Sequence, residues 1–350
     1  MVDTLIDGHK AHLHPEKIAK WLKTGDCYPI HIEIGLTGRC DHKCIFCALD
    51  WVCNQSDIET SVMLDTLKDM AQHNVKSVMF GGEGEPLLHK DISLIVQKAK
   101  EYGLDVAITT NGRTFDKEKR ENCLPNLSWI KFSVDAGTKE DYAKIHGTLE
   151  ENFEKLLQNI KETVEFKRKN DLKVTIGTQF LVIPQSMDSV LKLVERFDEI
   201  KPDYLVIKPY SDHPKSKKNL CVSVDAYNNL KEKINKIHKG NFEILFREAT
   251  AQRVEKGMPY PECYGLPFIS LIDSKGNVLP CNLFYDQPEF IYGNLNQNSF
   301  SEIWGSEKRK EILKKIKELG VENCRHGCRC DAANRYLHRL KNPEAHDNFT

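Results

Sequence analysis

Cys40, Cys44 and Cys47 lie within the eight residues "CDHKCIFC", just after the apolar run "HIEIGL". Thiolates are soft ligands, and three of them at Cys-x3-Cys-x2-Cys spacing point to a metal ion or an iron–sulfur cluster. A closed zinc site needs a fourth donor, for which His42 and Cys53 are the local candidates. The alternative is a cluster held by three thiolates, with one iron left for another ligand. A second group, Cys263, Cys281, Cys324, Cys328 and Cys330, follows in the last third of the chain. Its paired spacing suits a zinc ribbon as well as a fully thiolate-ligated cluster. Cys27, Cys123 and Cys221 are scattered and by default are small apolar residues of the interior.

The composition narrows the function classes. Fifty basic and 51 acidic residues in a chain of 350 give a formal charge of −1, no footing for a nucleic-acid-binding role. The lysine-rich segments "KSKK" (215–218) and "EKRKEILKKIKE" (307–318) have the charge spacing of solvated faces. No apolar run approaches the roughly 20 residues that span a bilayer, so no membrane association is expected. The N-terminus "MVDTLIDGHKAHLHPEK" has neither the basic flank nor the apolar core of a signal peptide. The expectation is a cytoplasmic protein, in which 12 cysteines do not build a disulfide framework.

The elements that must position these cysteines are visible as short β-branched runs alternating with amphipathic stretches. Strands are predicted near 29–36, 76–80, 104–110, 128–134, 172–182 and 203–208, and helices near 61–74, 89–102, 139–145, 151–169 and 187–199. In 151–169, Phe153, Leu156, Leu157, Ile160 and Val164 form one apolar stripe. Such alternation implies α/β architecture with parallel strands, right-handed crossovers and strands apolar on both faces. The first cysteine group then falls in the loop after the first strand, at the end of the sheet where such folds place their active sites. Beyond about residue 224 the pattern changes to a helix near 225–238, a strand near 242–247, and a hairpin (267–281) turning at "DSKGN" around Gly276. A helix near 300–318 and a final helical piece, "DAANRYLHRLK", complete the chain. The expected division is an N-terminal extension (1–28), a core (29–224) and a small α+β domain (225–350).

With Phe46 before its third cysteine, the first group resembles the Cys-x3-Cys-x-aromatic-Cys loop of the radical S-adenosylmethionine (SAM) superfamily. The second strand ends in "GGEGEP" (81–86), similar to the family's loop that holds the SAM amino group, with Gly81, Gly82 and Glu83 as the matching residues. "TTNG" brings Asn111, and "SVDAG" brings Ser133 and Asp135, like the family's Ser-x-Asp segment near SAM. His146 stands where many relatives carry an arginine, and otherwise reads as an ordinary packing residue. Gln179 and Lys208, on the fifth and sixth strands, are further candidates for the cofactor site. The resemblance implies a partial (β/α)6 barrel, a [4Fe–4S] cluster on Cys40, Cys44 and Cys47, and SAM on its open iron.

The second group resembles the C-terminal auxiliary-cluster extensions of that superfamily, SPASM in full form and twitch in the shorter one. A full extension has seven cysteines, so five imply one auxiliary [4Fe–4S] cluster. Cys263, Cys281, Cys324 and Cys328 are the expected ligands, with Cys330 an alternative fourth. Cys53, six residues beyond the cluster loop, is the candidate catalytic thiol that would return a hydrogen atom in an epimerase. The activity implied is reductive cleavage of SAM to a 5′-deoxyadenosyl radical and hydrogen abstraction from a small polar metabolite, such as a sugar, aminocyclitol or nucleotide-linked sugar. A single auxiliary cluster favours dehydrogenation, with flavodoxin or ferredoxin as electron donor. A peptide maturase is the rival enzyme, disfavoured by the roughly 30 residues before the first strand, too few for a peptide-recognition domain. An iron–sulfur electron carrier or zinc-stabilised scaffold is the non-enzymatic rival.

Overall fold

The computed structural model describes residues 8–52, 54–216 and 218–349, with side chains of 253–256 left aside. Ten strands form one open sheet: β1 (His31–Ile34), β2 (Ser77–Phe80), β3 (Asp105–Thr110), β4 (Trp129–Ser133), β5 (Thr175–Val182), β6 (Tyr204–Pro209), β7 (Glu243–Phe246), β8 (Ile269–Ile272), β9 (Asn277–Leu279) and β10 (Gly293–Asn294). Their order is β10-β9-β8-β1-β2-β3-β4-β5-β6-β7. Neighbours from β1 to β7 run parallel, as crossovers through intervening helices require. β8 adds parallel to β1, and β9 and β10 return antiparallel beside it. The stretch after residue 224 therefore contributes strands to both edges of the same sheet.

Strand alternation sorts the two faces, because successive side chains point to opposite sides. Ile32, Ile34, Val78, Phe80, Val106, Ile108, Ile130 and Phe132 are buried in one core with Met63, Leu67, Ile95, Leu156 and Ile160 from the crossover helices. The other face carries His31, Glu33, Met79, Thr109, Trp129, Lys131 and Ser133, which line a cavity. The expectation of strands apolar on both faces is thus corrected for β1–β4, while consecutive residues Tyr204–Ile207 of β6 are all buried. In β1–β4 one face packs with the crossover helices and the other is the wall of a polar site.

Local chemistry sets the element ends. Thr138 caps the helix Lys139–His146, its hydroxyl accepting from the Asp141 amide, and Gly147 ends it at φ +57°. The helix expected near 300–318 is two helices, Phe300–Gly305 and Glu307–Leu319. Ser306 divides them: its extended backbone stops the first, and its side chain accepts from Arg309 N to start the second. A helix the sequence reading did not anticipate, Pro15–Thr24, buries Ile18 and Trp21 in a second apolar cluster with Tyr260, Tyr264, Phe268 and Leu337. Among the described residues no helix is long and apolar enough to cross a membrane.

Candidate active site

The first cysteine loop is docked by its backbone onto the end of the helix Lys139–His146. The last carbonyls of a helix lack intrahelical partners. Here Lys43 N donates to His146 O and Ile45 N to Ile145 O, both at 2.9 Å. The approach is close enough that a Cβ on Gly147 would lie 2.5 Å from Lys43 O. Cys44, between the two anchored residues, has its Sγ 3.2 Å from His146 Nδ1. His146 Nε2 is 2.9 Å from Val134 O, a carbonyl that only an N–H can meet, so Nδ1 is left as the acceptor for the Cys44 thiol. Burial holds the ring neutral, pulling His146 down to about 3. It also pushes the Cys44 thiol well above its ordinary value. Phe46 meets the His146 ring edge-on at 5.4 Å.

A second layer of polar contacts holds the front of the loop. Asp41 accepts from Arg113 Nε at 2.5 Å and Asn111 Nδ2 at 2.6 Å. These hydrogen bonds and the neighbouring His42 outweigh the desolvation that would raise it, and keep the Asp41 carboxyl below its ordinary range. His42, a candidate fourth zinc donor in the sequence, has both ring nitrogens occupied: Nδ1 is 2.9 Å from Asp41 Oδ1 and Nε2 is 3.1 Å from Tyr142 Oη. Glu85 sits behind, accepting from Thr110 Oγ1 at 2.6 Å and Asn111 N at 2.7 Å, with burial pushing its carboxyl up to about 7.

The loop after β2 passes very near the first cysteine loop. Gly82 adopts φ +116°, a conformation that favours glycine. At Gly84 a Cβ would lie 2.1 Å from Thr37 O and 2.6 Å from Arg39 O, so only glycine lets the two loops cross. Gly81, Gly82 and Gly84 face a cavity of about 580 Å³ that Cys40 and Cys44 also line.

The structure brings Cys40, Cys44, Phe46, Gly81, Gly82, Asn111, Ser133, His146 and Lys208 together around this cavity. Cys47 closes the loop, its amide 3.1 Å from Cys44 O. Cys47 and three other expected residues, Glu83, Asp135 and Gln179, stay outside the lining. Glu83 turns away, its carboxylate accepting from Ser274 N at 2.7 Å and Tyr285 Oη at 2.9 Å, which ties the glycine loop to the β8–β9 hairpin. Asp135 is fully buried at φ +56° and accepts from Leu181 N at 2.6 Å. Gln179 pairs with Ser133 in the β4–β5 register and so shares its face, but lies beyond the cavity wall. Cys53 lies outside the described residues.

The sequence reading missed the opposite wall: Glu33, Lys131, Arg247, Arg325 and Arg329. Lys131 carried a usable signal, since it has the same strand parity as Ser133. The arginines come from two far-separated segments, after β7 and between residues 319 and 331, and had none.

All five cysteines of the second group line an adjoining cavity of about 280 Å³, walled otherwise by apolar groups such as Leu266, Phe284 and Ile316. Asn334 donates to Cys263 Sγ at 3.4 Å, and Cys328 Sγ accepts from Cys330 N at 3.4 Å. A hydrogen bond from Cys330, with Arg329 and Arg325 nearby, lowers Cys328 to about 6 against the opposing effect of burial. Cys328 lines both cavities. Among the described residues no three Cys, His, Asp or Glu side chains converge closely enough to hold a single metal ion. A zinc centre needs its sulfurs about 2.3 Å from one point. The second group is spread around its cavity, and Cys40 and Cys44 of the first line the larger one, with Cys47 joined to Cys44 through the backbone; thiolates are the donors an iron–sulfur cluster takes.

Comparison with known proteins agrees with this chemistry. The profile of the radical SAM superfamily matches residues 34–197, and that of an iron–sulfur cluster-binding domain, SPASM, matches residues 263–331. The chain is 22% identical to a tungsten-containing aldehyde ferredoxin oxidoreductase cofactor-modifying protein of Pyrococcus furiosus, covering 79% of this chain and 81% of the relative. It is 25% identical to the Fe-coproporphyrin III synthase of Methanosarcina barkeri, covering 89% and 84%. The match to the GTP 3′,8-cyclase of Nautilia profundicola, 26% identical, spans about half of each protein, 47% and 51%. Among solved structures, the fold is similar to Streptococcus suis SuiB bound to SAM, with a TM-score of 0.66 at 20% identity, covering 86% of this chain and 72% of SuiB.

Proposed function

The chain belongs to the radical SAM superfamily and carries a C-terminal iron–sulfur cluster-binding extension, and from that premise we propose that it is a redox enzyme that dehydrogenates a C–H bond of a small polar metabolite, such as a sugar, aminocyclitol or nucleotide-linked sugar. When bound, the cofactors supply a 5′-deoxyadenosyl radical from SAM and, in the auxiliary cluster, an electron acceptor. The observation that carries the reading is Cys328, which lines the SAM-side cavity and the auxiliary cavity at once. A substrate in the first cavity is then within one side chain of the second cysteine group.

The chain's own residues do the holding and the shielding. Cys40, Cys44 and Cys47 are the ligands for the first cluster, and Cys263, Cys281, Cys324 and Cys328 for the auxiliary one, with Cys330 hydrogen-bonded to Cys328. Gly81, Gly82 and Gly84 keep the wall free of side chains, so backbone groups can approach the cofactor. The end of the helix Lys139–His146 fixes the Cys44 loop in place through the amides of Lys43 and Ile45. Flavodoxin or ferredoxin fits as electron donor, and a reducing cytoplasm fits the exposed cluster chemistry.

The test is anaerobic reconstitution with iron and sulfide, followed by dithionite and SAM, with 5′-deoxyadenosine measured by mass spectrometry. Wild type is expected to form it, and Cys44→Ala to lose it by at least a hundredfold. A protein that binds only zinc and forms no product overturns the proposal.

A further inference from the structure

Five cations line one side of the larger cavity: Lys131 from β4, Lys208 from β6, Arg247 directly after β7, and Arg325 and Arg329 from the C-terminal segment. The glycine and cysteine loops that share the cavity follow β1 and β2. The whole chain has a formal charge of −1, so this wall does not reflect a generally basic protein.

The carboxylates that line the same cavity are Glu33 and Glu85. Glu33 is ion-paired with Arg329. Glu85 is committed to Thr110 and the amides of Leu87 and Asn111. Arg325 donates to the Ser211 hydroxyl at 3.0 Å and its carbonyl at 2.8 Å, both neutral acceptors. Among the described residues, neither Lys131 nor Lys208 makes an ion pair; the Lys131 ammonium stands 5.8 Å from the Trp129 ring, with Glu33 and Asp135 acting on it from farther off. Burial, then Arg247 and Arg329, lowers the Lys131 ammonium to about 8. Burial, then Arg325, Arg247, Lys131 and Arg329, lowers Lys208 well below its ordinary value.

Like charges gathered out of water are costly unless an opposite charge completes the set. Arg325 and Arg329 flank Cys328 and would meet the charge of a thiolate there, so they do not by themselves require a ligand. Lys131 and Lys208 stand on central strands, away from both cysteine groups in sequence, and the carboxylates that act on them are already engaged: Glu33 by Arg329, and Asp135, wholly buried, by the Leu181 amide. SAM brings one carboxylate, and the wall offers more positive charge than that.

We propose that Lys131 and Lys208, with Arg247 beside them, bind an anionic group of a small-molecule substrate, either a phosphate ester or a set of carboxylates. This rests on the reading of the protein as a radical SAM enzyme and narrows its substrate from polar to anionic.

The test uses the anaerobically reconstituted holoprotein saturated with SAM, titrated in a calorimeter at fixed ionic strength. The probes are glucose 6-phosphate, tricarballylate and neutral glucose. At least one anion is expected to bind tenfold or more tightly than glucose. Preference for glucose 6-phosphate identifies a phosphate site, and preference for tricarballylate a carboxylate site. The Lys131→Met/Lys208→Met double variant should lose at least tenfold in that affinity, and Lys131→Arg/Lys208→Arg should keep it. Wild type binding neither anion more tightly than glucose overturns the proposal, as does unchanged anion binding by the methionine variant. The first of these needs no variant to fold. Anion binding without 5′-deoxyadenosine formation would strike the activity and leave the site, whereas the reverse would strike only the site.

Discussion

At the scale of single residues, Asp135 shows how a family-like motif residue is used by the fold. Its side chain is wholly buried, one oxygen bonded to the Leu181 amide and the other without a hydrogen-bond partner. Burial pushes its carboxyl up from 3.8 to about 7. The folded value lies above the unfolded one, so its contribution to stability is complete below about pH 3.8 and is lost as pH rises to about 7. Asparagine tolerates the positive φ at this position and does not titrate. Asp135→Asn should therefore gain on wild type by about 1.4 kcal/mol per pH unit across that window. Thermal unfolding of both proteins from pH 4 to 8 checks this, and parallel curves would contradict it. Cys44 and His146 are legible at the same scale in opposite degrees. The cysteine spacing is covalent and plain in the sequence. The contact from His146 Nδ1 to Cys44 Sγ spans 102 positions and depends on where a helix ends.

At the scale of elements, the site is built where loops meet. The Cys40 loop lies between the end of the helix Lys139–His146 and the glycine loop after β2. Gly84→Ala would drive a methyl group into the carbonyls of Thr37 and Arg39, backbone atoms that cannot rotate away. The expected cost is about 1–3 kcal/mol, with reduced iron at the first site as the loop is pushed off. Iron per protein and the unfolding midpoint test it. Gly305→Ala, where a Cβ meets nothing within 4 Å, is the control and should leave iron content unchanged and not lower the midpoint. Strand positions were readable because alternation and β-branched runs are local signals. Ser306, which splits the predicted helix at 300–318, was not, because a serine becomes a cap only where the backbone turns extended.

At the scale of the whole molecule, residues far apart in the chain close the cavity. Glu83 joins the glycine loop to Ser274 and Tyr285, and Glu33 on β1 meets Arg329 near the C-terminal end. Glu83→Ala leaves a buried amide and a buried phenol without their acceptor, at about 1–3 kcal/mol each. Hydrogen exchange should then quicken in β8 and β9 while β3–β5 keep their protection. Uniform loss of protection across the sheet would mean that the hairpin is not separately held.

The two thiol groups, the βα order and the resemblance to the radical SAM superfamily were legible along the chain. These rest on neighbours along the chain, where ligand spacing and strand periodicity are written directly. Tertiary structure alone decided which motif residues face the cavity, turning Glu83 and Asp135 into ties of the fold. It also decided that Lys131, Lys208, Arg247, Arg325 and Arg329, spread over nearly 200 positions, share one wall. Strand parity can aim a lysine at a face, but only the pairing of β7 with β6 brings Arg247 to meet it, and only the ion pair of Arg329 with Glu33 ties the Arg325–Arg329 loop and Cys328 to β1.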